Sequence, residues 1–281
     1  MSTSIAPSHR VDDSRIETSD FAWAALYRIG GYAALLAVAV VLVEAIAVAV
    51  VQVGWLNSGR FGASTGGQPG TILGWFELFG NNRLAGLLDD AALDIAVAAL
   101  LVPLFLALSV ALRRTNEAWT ACATALAVVG VAAYVATNTS FSLLFAADEY
   151  AAATTAAQRS LFLAAGSAAV AVGGGGLFFS AGFILVAVAG LIVAGVMLRG
   201  EPFGKATAWL GVAANGLLLA DYGSFLFVRM TSAVSTALVG GGSLLLFVWW
   251  IVIARRLLHL GRGMSREPAV PAADRLGPHQ L

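Results

Sequence analysis

The sequence predicts an all-α polytopic membrane bundle of six transmembrane helices with an additional outer interfacial helix segment. Three observations predict it. Hydrophobic residues make up 59% of the 281 residues and charged residues only 11%, where a soluble domain carries about 25% charged residues. Mean hydropathy is +0.84. The apolar residues fall in runs long enough to cross a ~30 Å hydrocarbon core at about 1.5 Å per helical residue.

Residues 1–27 form a polar N-terminal tail, with Asp12, Asp13, Glu17 and Asp20 set against Arg10 and Arg15. They lack a basic region followed by a short apolar core, which argues against a cleaved signal peptide. The first span covers about 29–53, with Tyr27 and Arg28 at one interface and Trp55 at the other. A Gly-, Asn- and Ser-rich connection follows, and Ile72 to Phe79 is aromatic but too short to span, which suits a helix lying in the interface. Spans two and three, about 90–112 and 118–138, are joined by the hairpin Arg113-Arg114-Thr115-Asn116-Glu117, and Pro103 is a candidate kink.

The polar segment from Thr139 to Val172 includes Asp148-Glu149-Tyr150, which resists burial, and predicts an outer helix or helix pair over about 142–172. Spans four, five and six fall at about 177–198, 205–228 and 235–258. The membrane domain is thus 28–260, and the Pro-containing tail 261–281 is expected to be disordered.

Basic residues decide between six spans and seven. With six, Arg10, Arg15, Arg28, Arg113, Arg114, Arg199, Lys205 and the arginines beyond residue 254 share one side. Only Arg60, Arg83, Arg159 and Arg229 lie opposite. The positive-inside rule therefore places both termini in the cytoplasm. The excess of arginine over a single lysine, with abundant alanine and glycine, suggests the cytoplasmic membrane of a high-GC bacterium.

The run Ala147-Asp148-Glu149-Tyr150-Ala151-Ala152-Ala153-Thr154-Thr155-Ala156-Ala157-Gln158-Arg159, with Leu163-Ala164-Ala165-Gly166 and the earlier Tyr27-Arg28-Ile29-Gly30-Gly31, carries a family resemblance. Across about 25–260 the chain resembles the bacterial domain-of-unknown-function family four-three-eight-six, six-helix membrane proteins without an assigned activity. The resemblance implies the fold and topology and no catalytic residues.

The polar residues within the spans are the candidate binding residues: Glu44, Asp94, Asn138, Asn215 and Asp221. A charge at the bilayer centre costs roughly 2.5–3.5 kcal/mol on insertion scales, so such groups face a partner or a hydrated cavity. Glu44 and Asp221 lie at similar depth in the outer half of their spans. They are expected to converge on an outward-facing polar cavity with Asn215 nearby, and Glu44→Gln and Asp221→Asn to abolish binding. For Asp94 and Asn138, nearer the span ends, contact with interfacial water is the simpler expectation. The other reading of every one of these residues is a polar brace between helices.

Other chemistries are disfavoured. The D-x-x-x-D pair Asp90 and Asp94 lacks the second acidic pair of a magnesium–diphosphate site, and acids that complement a helix N-terminus are the simpler account. Cys122 is the only cysteine, expected as a buried small hydrophobe, and His9, His259 and His279 lie at polar ends, so no metal or cofactor site is expected. Gly173 to Gly176 lacks the Lys-Ser/Thr ending of a phosphate loop. The nucleophile-and-base signatures of proteolysis are missing, which argues against an enzyme. With equal numbers of basic and acidic residues, nothing points to nucleic acid. The expected surroundings are the lipid bilayer and a small solute or ion. The alternative is a non-catalytic scaffold or sensor that contacts a protein through its outer segment or tails.

Overall fold

The computed structural model describes residues 13–58, 71–89, 93–173, 177–200, 202–227 and 232–263, all of its regular structure being helical. The helices are α1 (Asp13–Ser58), α2 (Ile72–Asn81), α3 (Arg83–Asp89), α4 (Asp94–Thr137), α5 (Ser140–Ala152), α6 (Ala156–Gly173), α7 (Leu177–Met197), α8 (Lys205–Phe227) and α9 (Ser232–Gly263). Three stretches, Trp23–Ile46, Asp94–Ala152 and Ala233–Arg262, are long and apolar enough to cross a membrane. The chain is an all-α bundle of membrane type. The first acid of the D-x-x-x-D pair, Asp90, the last three residues of the glycine run and the tail beyond residue 263 lie outside the described residues.

Helix α4 is two spans in one element. Its backbone leaves helical geometry at Asn116, where φ is −164° and ψ is 94°. The Asn116 side chain accepts from the Trp119 backbone amide at 3.1 Å, capping the second arm. An N-cap carboxamide replaces a hydrogen bond that the first turn of a helix cannot make internally. The hairpin read from Arg113 to Glu117 is therefore a capped break, and the first arm stays helical through Pro103.

Six helical segments pack together: α1, both arms of α4, α7, α8 and α9. They close a ring in which α1 packs on α4, α4 on α7, α7 on α8, α8 on α9, and α9 back on α1. Glycines set the close approaches. A Cβ at Gly130 would stand 2.8 Å from the Gly182 carbonyl oxygen, and one at Gly182 would stand 3.0 Å from that of Gly130. Such a backbone crossing replaces the hydrophobic drive that lipid removes between membrane helices. The core of the ring includes Leu104, Leu108, Leu112, Val193, Met197, Trp249, Ile253 and Leu257.

Helices α2, α3, α5 and α6 form a second layer with its own core of Trp75, Phe76, Leu78, Phe79, Leu143, Ala146 and Ala147. The aromatic stretch expected at the interface is α2, capped by Thr71, whose hydroxyl accepts from Gly74 N at 3.2 Å. The expected outer pair is α5 and α6. A capping box starts α6: Thr155 Oγ1 accepts from Gln158 N at 3.2 Å, and Gln158 Oε1 accepts from Thr155 N at 3.2 Å. Arg83 of α3 joins Asp148 of α5 at 2.7 Å. The layer meets the ring where α3 packs on α1 and α6 on α7.

The far end of the ring is basic. Arg28 donates to the Gly261 carbonyl at 3.4 Å, Arg113 lies 4.8 Å from the Trp23 ring, and Arg256 donates to the Pro202 carbonyl at 2.7 Å. Helix α1 begins at Asp13, so the stretch read as tail is helical from that point. Cys122 is exposed on the second arm of α4 rather than buried, because that face of the arm has no helix against it.

Candidate functional site

A cavity of about 210 Å³ lies inside the ring, between the middle of the passes and the end that carries the second layer. Every pass contributes to its wall, from Val41 on α1 to Ser243 and Phe247 on α9. The wall is mostly apolar and aromatic. Asp94, Tyr134, Asn215, Tyr222 and Ser243 are its polar side chains. A few convergent polar groups in an apolar pocket is the usual composition of a small-molecule site.

Asp94 opens the first arm of α4, and Tyr134 closes the second, one turn before Asn138. The antiparallel arms therefore bring residues distant in sequence to the same level. The Tyr134 hydroxyl donates to Asp94 Oδ2 at 3.0 Å, and it also meets the Asn138 side chain. Asn138 Oδ1 in turn accepts from Ser140 N at 3.2 Å, which fixes the start of α5. Asp94 is half-buried and is held by a phenol within the ring, because Tyr134 shares its level.

Glu44 stands behind Asp94. Its carboxyl lies within electrostatic reach of the Asp94 carboxyl and of the Leu93 backbone. Glu44 is 8% exposed, and its Oε1 has no partner among the described residues. The sequence paired Glu44 with Asp221. The structure pairs it with Asp94, because α1 packs on α4 and α9 and not on α8.

Helix α8 supplies Asn215 and Asp221. Asn215 is buried; its Nδ2 donates to the Gly211 carbonyl at 2.8 Å. Its amide fills the space left by the missing side chain of Gly190 on α7. Asn215 is thus both a brace in the α7–α8 seam and part of the cavity wall. Asp221 is 2% exposed, its Oδ1 has no partner among the described residues, and its backbone carbonyl accepts from Ser224 Oγ at 2.6 Å. It stands beside the cavity rather than in its wall, with Tyr222 within electrostatic reach of both Asp221 and Asp94.

The site residues that sequence reasoning missed are aromatic. Phe183 takes Tyr134 edge-on with centroids 4.8 Å apart, and stacks on Tyr222 at 4.8 Å with planes inclined by 11°. This three-ring stack joins α4, α7 and α8 along one wall. Trp249 and Trp250 close the inner end, and the Trp249 indole N–H is buried without a partner among the described residues. A signal for Tyr134 was present, since it precedes Asn138 by one helical turn and so shares its face. Ser243 lines the cavity, while its neighbour Gly242 packs on Leu218. Among the described residues no group of three or more His, Cys, Asp or Glu side chains is arranged to hold a metal ion.

No family model, no curated protein and no solved structure matches this chain.

Proposed function

We propose that this membrane protein binds a small solute in the central cavity and exchanges it with the side that carries the second layer. The single observation behind this reading is the cavity of about 210 Å³, which all six passes line and into which Asp94, Tyr134, Asn215 and Tyr222 project polarity. Polar groups inside a membrane bundle carry a cost of several kcal/mol when unsatisfied, so a set collected around one space points to use of that space. Glu44 and Asp221 support the set from behind.

The orientation belongs to the same proposal. The basic end of the ring, with Arg28, Arg113 and Arg256 engaged there, faces the cytoplasm of a bacterial cell, and both termini lie on that side. The likeness to domain-of-unknown-function family four-three-eight-six is carried as part of this proposal.

The test is a solute panel against purified, reconstituted protein, read by thermal shift and by uptake. A solute that stabilises the wild-type chain should lose its effect in Ala98→Phe or Ser243→Phe, which fill the cavity. Retention of the effect in a folded cavity-filled variant would remove the cavity from the account.

A second reading has one observation in its favour. An exposed apolar groove runs between α5 and α6, lined by Phe141, Phe145, Phe162 and Ala169. A scaffold or sensor would use such a surface of the outer layer.

A further inference from the structure

We infer that the cavity takes a small organic monocation, an amine with an apolar or aromatic body, whose charge sits at Asp94 against the Tyr134–Phe183–Tyr222 stack. The inference rests on the proposed solute site and names its ligand class.

Charge comes first. Among the described residues Asp94 is the one acidic side chain in the cavity wall, and Glu44 stands near it outside that wall. One ammonium group matches the single carboxyl that the wall presents. The titratable groups facing the pair are Tyr134 on α4 and Tyr222 on α8, with Asp221 next beyond Tyr222. None of these supplies a positive charge. A cation entering the cavity therefore meets no competitor for Asp94 among the described residues that face it.

The wall comes second. Phe105, Tyr134, Phe183, Tyr222, Phe247 and the two tryptophans give the cavity aromatic surface on several sides. Ring faces attract cations by about 0.5–1 kcal/mol at exposed sites and about 2 kcal/mol when desolvated. The same wall repels anions and offers few donors to a neutral polar solute.

Size comes third. An engineered apolar cavity of about 150 Å³ accommodates benzene, so a space of about 210 Å³ holds a ring or short alkyl body with an amino tail. A hydrated inorganic cation would leave the aromatic wall unused.

The experiment uses the full chain in detergent and three probes of matched shape: 2-phenylethylamine, 2-phenylethanol and phenylacetate. Binding is read by tryptophan fluorescence, since Trp249 and Trp250 line the cavity, and by calorimetry. The expected result is tighter binding of the amine than of the alcohol by about tenfold or more, the ratio given by 1.4 kcal/mol, with no binding of the carboxylate. Asp94→Asn should bring that ratio toward one, the amine losing more than the alcohol. Phe183→Leu, an apolar exchange that keeps the fold, should weaken the amine more than the alcohol. Equal binding of amine and alcohol by the wild-type chain would overturn the monocation inference and leave the solute site standing. Failure of all three probes to bind would overturn both.

Discussion

The Tyr134 hydroxyl reaches across the two arms of α4 to Asp94 Oδ2 at 3.0 Å, tying the first residue of one pass to the last turn of the next. That bond fixes the direction of the one acidic side chain in the cavity wall. Tyr134→Phe leaves Asp94 with Glu44 as its remaining side-chain partner. Loss of a donor to a buried acceptor costs about 1–3 kcal/mol in soluble proteins, while polar contacts between membrane helices average about 0.6 kcal/mol. The expected outcome is a small fall in melting temperature and a larger fall in affinity for any ligand that uses Asp94. Thermal unfolding and binding measured on the same preparation check it.

Gly130 and Gly182 position the aromatic stack, because their backbones touch one turn from Tyr134 and one residue from Phe183. Gly182→Ala places a methyl group 3.0 Å from the Gly130 carbonyl oxygen and from the Tyr134 backbone nitrogen. Since both near atoms are backbone, the helices must separate. Overpacking of this kind costs about 1–3 kcal/mol. The variant should unfold at lower temperature and show altered quenching of the cavity tryptophans. An unchanged melt would show that the α4–α7 crossing is looser than described.

The fold was legible in the sequence to the extent that it depends on solvent. Hydrocarbon demands long apolar helices, so the passes 177–198 and 205–228 were readable within a residue or so of α7 and α8. Charge asymmetry likewise separated the outer pair α5 and α6 from the ring. The site was legible only as a set of residues. Depth along a helix can be counted, but rotation about its axis and the choice of neighbour cannot. Glu44 and Asp221 were matched by depth, and the packing of α1 on α4 gave Glu44 a different partner. The aromatic residues were hidden for another reason: phenylalanine and tyrosine in an apolar run look the same facing lipid or facing a cavity.

Asn215 and Gly190 make a separable prediction, because the amide occupies the space a side chain at residue 190 would need. Gly190→Ala alone should be strongly destabilising, since Asn215 is buried and bonded to Gly211. In an Asn215→Ala background the added methyl has room. A double-mutant cycle should therefore return a coupling between about 0.5 and 3 kcal/mol, the range for residues in contact. Additive effects would mean that the two residues do not share a space.

The capping box at Thr155 and Gln158 allows the second layer to be perturbed without touching the cavity. Thr155→Ala removes the acceptor for Gln158 N, at a cost of about 0.5–2 kcal/mol for a lost N-cap. Because α6 packs mainly on its own layer, the loss should appear as faster local hydrogen exchange in 156–160, with ligand binding unchanged. Altered binding would make the second layer part of the solute path.

The last prediction separates Glu44 from Asp94. Glu44 is buried and Asp94 half-buried beside it, and from sequence alone Glu44→Gln was expected to abolish binding. The geometry gives a different result. A glutamine amide can donate to Asp94, so Glu44→Gln leaves the carboxylate of the cavity wall in place. Asp94→Asn keeps a charge only on Glu44, which does not line the cavity. Its ligand would have to be neutralised through an intervening side chain, and the Coulomb energy falls with that added distance. Glu44→Gln should therefore bind a cationic probe within a few-fold of the wild-type chain, and Asp94→Asn should lose about tenfold or more, where 1.4 kcal/mol is one factor of ten. Calorimetry on both variants, with melts to confirm that each is folded, gives the comparison. Equal losses in the two would mean that the acids act as one site, with Glu44 reaching the ligand directly.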